Sequence, residues 1–104
     1  MTIVTISDAR RFSLDDVQRS TLLREGNLSV EVLCFEAGQR DEEEDRDDAS
    51  LYQVLEGEAL LTSGGERHRL GKGKIAAVSA NTAHGLENAG GGLLVVMATR
   101  GAAS

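Results

Sequence analysis

The sequence lacks proline and tryptophan and has few aromatic residues of any kind. Its 104 residues include one tyrosine, two phenylalanines and one cysteine. So few rings argue against the stacking platforms with which proteins bind single-stranded nucleic acid. A core must therefore be built from Leu, Val, Ile and Ala. Twelve glycines without proline are typical of short strands joined by tight turns.

Further absences narrow the class of protein. No apolar run is long enough to span a bilayer and no signal peptide is recognisable, so we expect a soluble, cytoplasmic protein without membrane contact. The formal net charge is −6 and no cluster of Lys and Arg is present, which argues against nucleic-acid binding. The one cysteine, Cys34, has no intrachain disulfide partner and lies in an apolar run, where a free thiol packs as a small hydrophobic side chain.

Short runs of β-branched and aliphatic residues follow one another along the chain. Thr2 to Ile6 alternates as a first strand does, and Arg19–Glu25 and Leu28–Gly38 flank Gly26 and Asn27 as the two strands of a hairpin do. From Leu51 onwards, strand and turn units of about eight to twelve residues continue to Thr99. The pattern predicts one all-β domain.

Three segments of this domain are distinguished by their patterns. We expect residues 1–27 to form an N-terminal strand and a hairpin arm that joins the barrel. Residues 28–99 are predicted to form the barrel itself, because the strand and turn units lie there. The last five residues, 100–104, are expected to be a loose tail.

The second strand of the hairpin is apolar on both faces. Val30, Val32 and Cys34 alternate on one face, while Leu33 and Phe35 lie on the other. A strand with two apolar faces is covered either by a second sheet or by a partner subunit. We expect a homodimer that buries sheet faces including Leu33 and Phe35.

Ten residues, Gln39 to Asp48, concentrate the negative charge of the chain. They include seven acidic and two basic residues, a net charge of −5, so the other 94 residues carry −6 − (−5) = −1. Such a block repels itself and is expected to be a solvated loop. Two alternatives stay open: carboxylates could bind calcium, magnesium or manganese, or the acidic loop could contact a basic protein partner.

The stretch from Gly73 to Asn88 has the spacing of a known motif. That motif is glycine, five residues, proline, any residue, glycine, two residues, histidine, three residues and asparagine. Gly73, His84 and Asn88 match it, whereas Ser79 replaces the proline and Asn81 replaces the second glycine. Asn is tolerable there because it also adopts the left-handed backbone conformation.

An upstream motif begins at Gly38 and ends at Gly57 within the segment YQVLEGEALL. With the downstream motif and the order of strands and turns, it resembles the cupin family over about residues 28–99. The resemblance implies a double-stranded β-helix, that is, a jelly-roll barrel. It also implies a metal centre made by two histidines and a glutamate of the first motif and the histidine of the second.

The metal centre of the family is largely missing from this sequence. Ser50 replaces the glutamate, and only His84 of the four ligands is retained. The positions of the two histidines hold Glu44 and Arg46 or, with the longer spacing, Glu43 and Asp45. One imidazole has little affinity for a transition metal by itself. We therefore expect no cofactor, and keep a divalent metal held by His84, Glu44 and Asp45 as the alternative.

By the resemblance, two strands direct alternate side chains into the barrel. A mostly apolar pocket with a few polar groups would suit a small molecule. Its predicted lining is Ser50, Tyr52, Val54, His84, Leu86 and Asn88. If the site is catalytic, His84 is the natural general acid or base, assisted by Tyr52 and Glu44. Alternatively, the barrel is filled by its own side chains and His84 hydrogen-bonds Tyr52 or a backbone carbonyl.

Three functions are consistent with these patterns. The favoured one is a small stand-alone cupin that binds a small molecule and lacks the usual metal centre. The second is a metal-dependent enzyme of the isomerase or dioxygenase type, with the remodelled carboxylate and histidine site. The third is an interaction protein that uses its acidic loop.

Overall fold

The structure is a computed structural model in which residues 1–102 are described. A short 3-10 turn, Ile6–Ala9, precedes nine β-strands: β1 (Gln18–Glu25), β2 (Leu28–Phe35), β3 (Arg40–Glu43), β4 (Asp48–Glu56), β5 (Glu58–Ser63), β6 (Glu66–Gly71), β7 (Ile75–Val78), β8 (His84–Asn88) and β9 (Leu94–Ala102). Over these residues, no helix is both long and apolar enough to cross a bilayer.

The strands form two antiparallel sheets. One has five strands in the order β1-β2-β9-β4-β7, and the other has four in the order β3-β8-β5-β6. Neighbours in both sheets are antiparallel, and β1 and β2 form the predicted hairpin around Gly26 and Asn27. The predicted all-β, double-stranded β-helix barrel is therefore confirmed.

The core lies between the two sheets. Alternate residues of β9, Leu94, Val96 and Ala98, point into it and are fully buried. Leu33 and Phe35 of β2 are also fully buried there, so they are not available to a partner subunit. The predicted dimer face is therefore wrong, because the second sheet covers these side chains. The homodimer itself stays a prediction.

The N-terminal segment covers the outer face of the five-stranded sheet. Ala9 is buried against Val32, Cys34 and Val95, and Phe12 packs on the same cluster. Residues 1–5 form no strand, so the strand predicted over Thr2 to Ile6 is wrong. Alternation of side chains makes a strand only beside a hydrogen-bonded neighbour. Residues 1–6 are exposed and pair with no strand, and the segment reaches the sheet only from Ala9 onwards.

The C-terminal strand is longer than the sequence pattern predicts. β9 extends to Ala102, and Arg100 pairs with Ser29 of β2 and with Ser50 of β4. Residues 100–102 of the predicted tail therefore belong to the sheet: Arg100 and Gly101 pair with strands on both sides, and Ala102 pairs with Asp48 of β4. Residues 103 and 104 of that tail lie outside the described residues.

The acidic segment is only partly a loop. Arg40–Glu43 is strand β3, which pairs with β8 so that Glu43 lies opposite His84. Side chains on β3 alternate: Asp41 and Glu43 are partly buried, whereas Glu42 is exposed. The prediction of a solvated loop fails here because pairing with β8 fixes the backbone and directs alternate carboxylates inwards.

Two turns of the motifs use the left-handed backbone conformation. Gly57, between β4 and β5, has φ of 84°, and a Cβ atom there would collide with the carbonyl oxygen of Leu93. Asn81, in the turn before β8, has φ of 58°. Asn is one of the few residues other than glycine that adopt this conformation readily, so the turn is made without the glycine of the family motif.

Candidate functional site

The structure places all six residues of the predicted pocket in the barrel interior. Because alternate residues of a strand face the same side, β4 and β8 each supply three of them. Their exposed fractions are Ser50 2%, Tyr52 0%, Val54 1%, His84 7%, Leu86 2% and Asn88 5%. Val54 and Leu86 pack in the aliphatic core, and the other four make hydrogen bonds within the protein.

His84 is held by hydrogen bonds at both ring nitrogens. Nδ1 lies 2.8 Å from the carbonyl oxygen of Thr82, and Nε2 lies 2.7 Å from the hydroxyl of Tyr52. A carbonyl oxygen only accepts, so Nδ1 carries the proton and Nε2 accepts from Tyr52 in the neutral ring. Both nitrogens are therefore engaged within the protein. This arrangement corresponds to the alternative in which His84 bonds Tyr52 and a backbone carbonyl.

Arg100 lies at the centre of the polar cluster and is 1% exposed. Its Nε donates to Oγ of Ser50 at 3.1 Å, and its Nη2 donates to Oε1 of Glu43 at 3.1 Å and to the hydroxyl of Tyr52 at 3.2 Å. Nη1 forms an ion pair with Glu31. Every nitrogen of the guanidinium therefore has a partner inside the protein.

A second row of ion pairs surrounds Glu43. Arg19 donates to Glu43 at 3.0 Å and also pairs with Asp41, while Nη1 of Arg46 lies 3.6 Å from Glu43. Arg46 also donates to Asp48 at 2.7 Å, which lowers the pKa of that carboxyl. Burial raises the pKa of Asp41, and Arg19 partly opposes the rise. Arginines thus neutralise the inward-facing carboxylates of the acidic segment.

Burial shifts the pKa of both central groups. It raises the pKa of Tyr52 to about 12, with Glu43 and Asp41 adding to the rise. It lowers the pKa of Arg100 to about 10, assisted by the positive charge of Arg19. At neutral pH Tyr52 is therefore uncharged and Arg100 is a cation. Among residues 1–102, no buried side-chain nitrogen or oxygen lacks a hydrogen-bond partner.

The residues present do not fit the metal centre that the family resemblance implies. Glu44 and Asp45 are exposed, and within residues 1–102 no group of three or more His, Cys, Asp or Glu side chains could hold a metal ion. Glu43 and Ser50 lie at two of the family ligand positions. Both contact the guanidinium of Arg100, so they are not available to a metal ion. A cation fixed at this point repels a second one.

A surface depression of about 200 Å³ lies beside the polar cluster, between β3, β5 and β8. Its lining includes Glu43 of β3, His84 and Gly85 of β8, and Thr62 and Ser63 of β5. Gly85 has no side chain to fill it. The depression is smaller than the ~300–1,000 Å³ of sites for drug-sized ligands, so it fits a molecule of few heavy atoms.

Asn88 has a structural role at the end of β8. Its amide nitrogen donates to the carbonyl oxygens of Phe35, Glu36 and Gly92 at 3.3, 3.1 and 2.8 Å, and its side-chain oxygen accepts from the backbone N–H of Gly90 at 3.1 Å. These contacts join β8 to the end of β2 and to the turn before β9. The amide is thereby occupied within the protein.

Sequence reasoning missed the central residue of the site. Arg100 was expected in a tail, although it continues the alternation of Leu94, Val96 and Ala98 on the inward face of β9. That alternation is the sequence signal that places Arg100 inside the barrel. Glu31 was also missed, although it alternates with Leu33 on an apolar face of β2. A charged residue on such a face has an internal partner.

Known proteins resemble this chain in both sequence and fold. The sequence profile of the cupin domain matches residues 31–99, more than half of the chain. An uncharacterized protein of Streptomyces coelicolor, SCO3923, is 34% identical over 62 residues, which are 60% of this chain. The match covers 59% of that relative, so the chain spans less than two thirds of its length.

Two crystal structures show the same fold at low identity. TT1209 from Thermus thermophilus superposes with a TM-score of 0.89 at 18% identity, over 98% of both chains. A conserved protein of Klebsiella pneumoniae with a double-stranded β-helix domain gives 0.87 at 22% identity, over 97% of this chain and 90% of that one. With the two motifs, the two antiparallel sheets and the matching profile, the chain belongs to the cupin family.

Proposed function

We propose that this cupin binds a small molecule and does so without a metal ion. The observation that carries the proposal is the position of Arg100. Its buried guanidinium occupies the point at which Glu43 and Ser50, two residues at family ligand positions, come together. The metal-dependent alternative has less support, because Glu44 and Asp45 are exposed and lie outside this cluster.

The depression beside His84 is the proposed binding site. Its lining includes five carboxylates. Asp41 and Glu43 are paired with Arg19, whereas Glu42, Glu44 and Glu87 together exceed the one positive charge of Arg40, so the rim is net negative. Such a rim favours a cationic or neutral ligand with several hydrogen-bond donors, such as a small amine, an amino sugar or a polyol. Thr62 and Ser63 add hydroxyl groups that can donate or accept.

Binding is favoured over acid or base catalysis by His84. Its two nitrogens are engaged by Thr82 and Tyr52, so a bound molecule meets a ring whose hydrogen bonds are already made within the protein. General acid or base catalysis needs a group within hydrogen-bond reach of the proton it transfers. The role as an interaction protein also has less support, since arginines already neutralise Asp41, Glu43 and Asp48.

The test is a thermal-shift series on protein treated with a chelator. Small diamines, amino sugars and polyols are compared with mono- and dicarboxylates of similar size. We expect some of the donor-rich compounds to raise Tm and the carboxylates to leave it unchanged. A response to carboxylates alone, or to neither class, would contradict the proposal, and so would a response that requires added metal.

Two glycine variants locate the site. Gly85→Val adds a side chain to the depression from β8, and Gly71→Val adds the same group on β6, where nothing lies within 4 Å of the new Cβ atom. Both glycines have ordinary strand conformations. Gly85→Val should abolish the ligand-induced rise in Tm, whereas Gly71→Val should retain it. Equal responses in the two variants would place the ligand elsewhere.

A further inference from the structure

We infer that the opening between β6 and β7 is a second binding site, which takes a small molecule with an apolar body and one anionic group. The depression beside His84 has a net negative rim and favours the opposite charge. Among residues 1–102, Ser63 is the one residue that lines both sites. The second site is therefore separate from that of the proposed function and does not depend on it.

The two sides at which the sheets meet are closed to different degrees. Each sheet has two edge strands: β1 and β7 in the five-stranded sheet, and β3 and β6 in the four-stranded sheet. At one side, Arg19 of β1 pairs with Asp41 and Glu43 of β3. At the other side β7 has no charged residue, and over residues 1–102 neither a strand ladder nor an ion pair joins β6 to β7. The barrel is thus left open between these two strands.

A groove of about 560 Å³ occupies this opening. Its apolar lining includes Leu61, Leu70 and Val78, which are 6%, 7% and 7% exposed, whereas the other buried members of the main core are 0–2% exposed. Ala76 adds a small, half-buried side chain from β7. The volume lies within the ~300–1,000 Å³ typical of small-molecule sites. An apolar group can therefore reach the core of the barrel at this point.

Positive charge prevails around this groove, although the whole chain has a net charge of −6. The segment from Glu66 to Lys74 contains four basic residues and one acidic residue. Arg69 and Lys74 line the groove, and none of its described lining residues is acidic. Arg69 pairs with Glu58, but that pair is exposed and such pairs contribute little. Lys74 forms no ion pair within residues 1–102.

The chemistry of the lining defines the class of ligand. Burial of an alkyl or aryl body against the aliphatic side chains removes apolar surface from water. An oxyanion on that body would be attracted by the ammonium of Lys74 and would accept hydrogen bonds from the hydroxyls of Ser63, Ser79 and Thr82. An amine would be repelled by the same ammonium, and a small anion would leave the apolar lining uncovered. Both parts of the ligand are therefore needed.

The probe is hexane-1-sulfonate, which joins a six-carbon chain to one anionic group. At about a tenfold excess over its Kd it should raise Tm by on the order of 5 °C, because a ligand stabilises the state that binds it. The NMR signals of the Leu61, Leu70 and Val78 methyl groups should shift, whereas those of Leu94, outside the groove, should not. Ethane-1-sulfonate, which has a shorter body, and hexan-1-amine, which has the opposite charge, should not shift these methyl signals.

Two matched pairs of variants locate the site. Ala76→Leu adds three carbon atoms to the groove, and Ala49→Leu adds the same atoms at an exposed position of β4 outside it. The first should abolish the sulfonate response and the second should retain it. Lys74→Gln should weaken binding about three- to tenfold, which is the contribution of an ion pair near the surface. Lys72→Gln removes an exposed charge that does not line the groove and should weaken binding less than about twofold.

Hexane-1-sulfonate that leaves the three groove methyl signals unchanged would overturn the inference, and so would equal shifts with ethane-1-sulfonate or hexan-1-amine. Shifts of the same size at Leu94 would indicate binding without a defined site. Retention of the response in folded Ala76→Leu would place the probe elsewhere, and equal losses in Lys74→Gln and Lys72→Gln would refute recognition of the anion at the groove. The methyl signals of the unchanged protein decide the matter if Ala76→Leu does not fold.

The two binding proposals can fail separately. Gly85 does not line the groove, so Gly85→Val should keep the sulfonate response. Ala76 does not line the depression beside His84, so Ala76→Leu should keep the response to amines, amino sugars or polyols. A sulfonate response that Gly85→Val abolishes would mean that one site takes both classes of ligand, and would contradict a second site.

Discussion

The hydroxyl of Tyr52 accepts a hydrogen bond from Arg100 at 3.2 Å and lies 2.7 Å from Nε2 of His84, to which it donates. Tyr52 and Arg100 belong to the five-stranded sheet, whereas His84 belongs to the four-stranded sheet. One hydroxyl thus connects the sheets by acting as donor and acceptor at once. Because the rest of the core is apolar, this connection and the Arg100–Glu43 ion pair constrain how the sheets face each other.

Tyr52→Phe removes this hydroxyl and keeps the ring. Nε2 of His84 and one donor of Arg100 would then lose a partner in the interior, so we expect the free energy of unfolding to fall by about 1–3 kcal/mol. Urea denaturation measures the change. Thr2→Val, which removes an exposed hydroxyl 3.4 Å from Glu25, is the control and should change stability by less than about 0.5 kcal/mol. Equal effects would show that the Tyr52 hydrogen bonds contribute little.

The ionisation of Tyr52 can be observed directly, because the chain has one tyrosine and no tryptophan. Its pKa is raised from 10.0 to about 12 in the folded protein. At about pH 11 the folded protein should therefore show little phenolate absorbance, and the protein in urea should show most of it. Phenolate absorbance that appears at the same pH in both states would mean that Tyr52 is not buried.

The raised pKa of Tyr52 also determines whether the stability of the protein rises or falls with pH. A pKa raised by folding contributes stability that is complete below the unfolded value and is lost as the pH rises from 10.0 to about 12. The lowered pKa of Arg100, about 10 instead of 12.5, acts in the opposite direction over nearly the same interval. The two contributions partly cancel, so absorbance is a sharper readout than net stability.

The strands that could be predicted from the sequence are those bounded by strong turn signals. Gly26 and Asn27, and the turn at Gly57, place β1, β2, β4 and β5 close to their observed positions. The prediction of a strand over Thr2 to Ile6 is wrong for a different reason. The alternation there is as regular as that of a strand, but pairing depends on a free sheet edge, and these residues stay exposed while the chain first packs on the sheet at Ala9.

The interior of the site could be predicted only in part. Period-two alternation is a local property, and it correctly places Tyr52 and His84 inside. The predicted metal ligands Glu44 and Asp45 follow from counting residues along the acidic segment, and such a count carries no information on how that segment pairs with β8. The register of β3 directs Glu43 inwards instead. Its partner Arg100 is 57 residues away, and no local pattern reports a contact over that distance.

The N-terminal segment is predicted to shield Cys34 from reagents. Cys34 is 1% exposed, and its thiol lies 3.9 Å from the carbonyl oxygen of Ala9. Burial raises the pKa of this thiol. We expect slow reaction with a thiol reagent in the intact protein. Phe12→Ala, which removes a ring packed on the same cluster, should accelerate the reaction several-fold, because local opening exposes the thiol more often.

A control variant separates this effect from general loosening. Val78→Ala creates a cavity in the main core between the sheets, away from the cluster that contains Cys34. It should lower Tm but accelerate thiol modification less than Phe12→Ala does at equal loss of stability. Modification that follows stability alone in both variants would show that the N-terminal segment does not shield Cys34 by itself.

The turn between β4 and β5 offers a test of how closely the backbone segments approach each other. Gly57 and Gly65 have nearly the same φ, 84° and 82°, so alanine is strained equally by the backbone at both positions. At Gly65 nothing lies within 4 Å of an added Cβ atom, whereas at Gly57 the atom would collide with the carbonyl oxygen of Leu93. Gly65→Ala should therefore cost about 1 kcal/mol and Gly57→Ala several times more.

The difference between these two variants isolates the contact from the strain. Leu93 immediately precedes β9, so the collision would displace the start of the strand that carries Arg100 at its other end. Urea denaturation measures the two losses of stability, and the pH at which the phenolate absorbance of Tyr52 appears in any folded Gly57→Ala protein reports whether the displacement reaches the polar cluster. Equal losses in the two variants would mean that the backbone can relax away from Leu93, and that Gly57 is required for its φ alone.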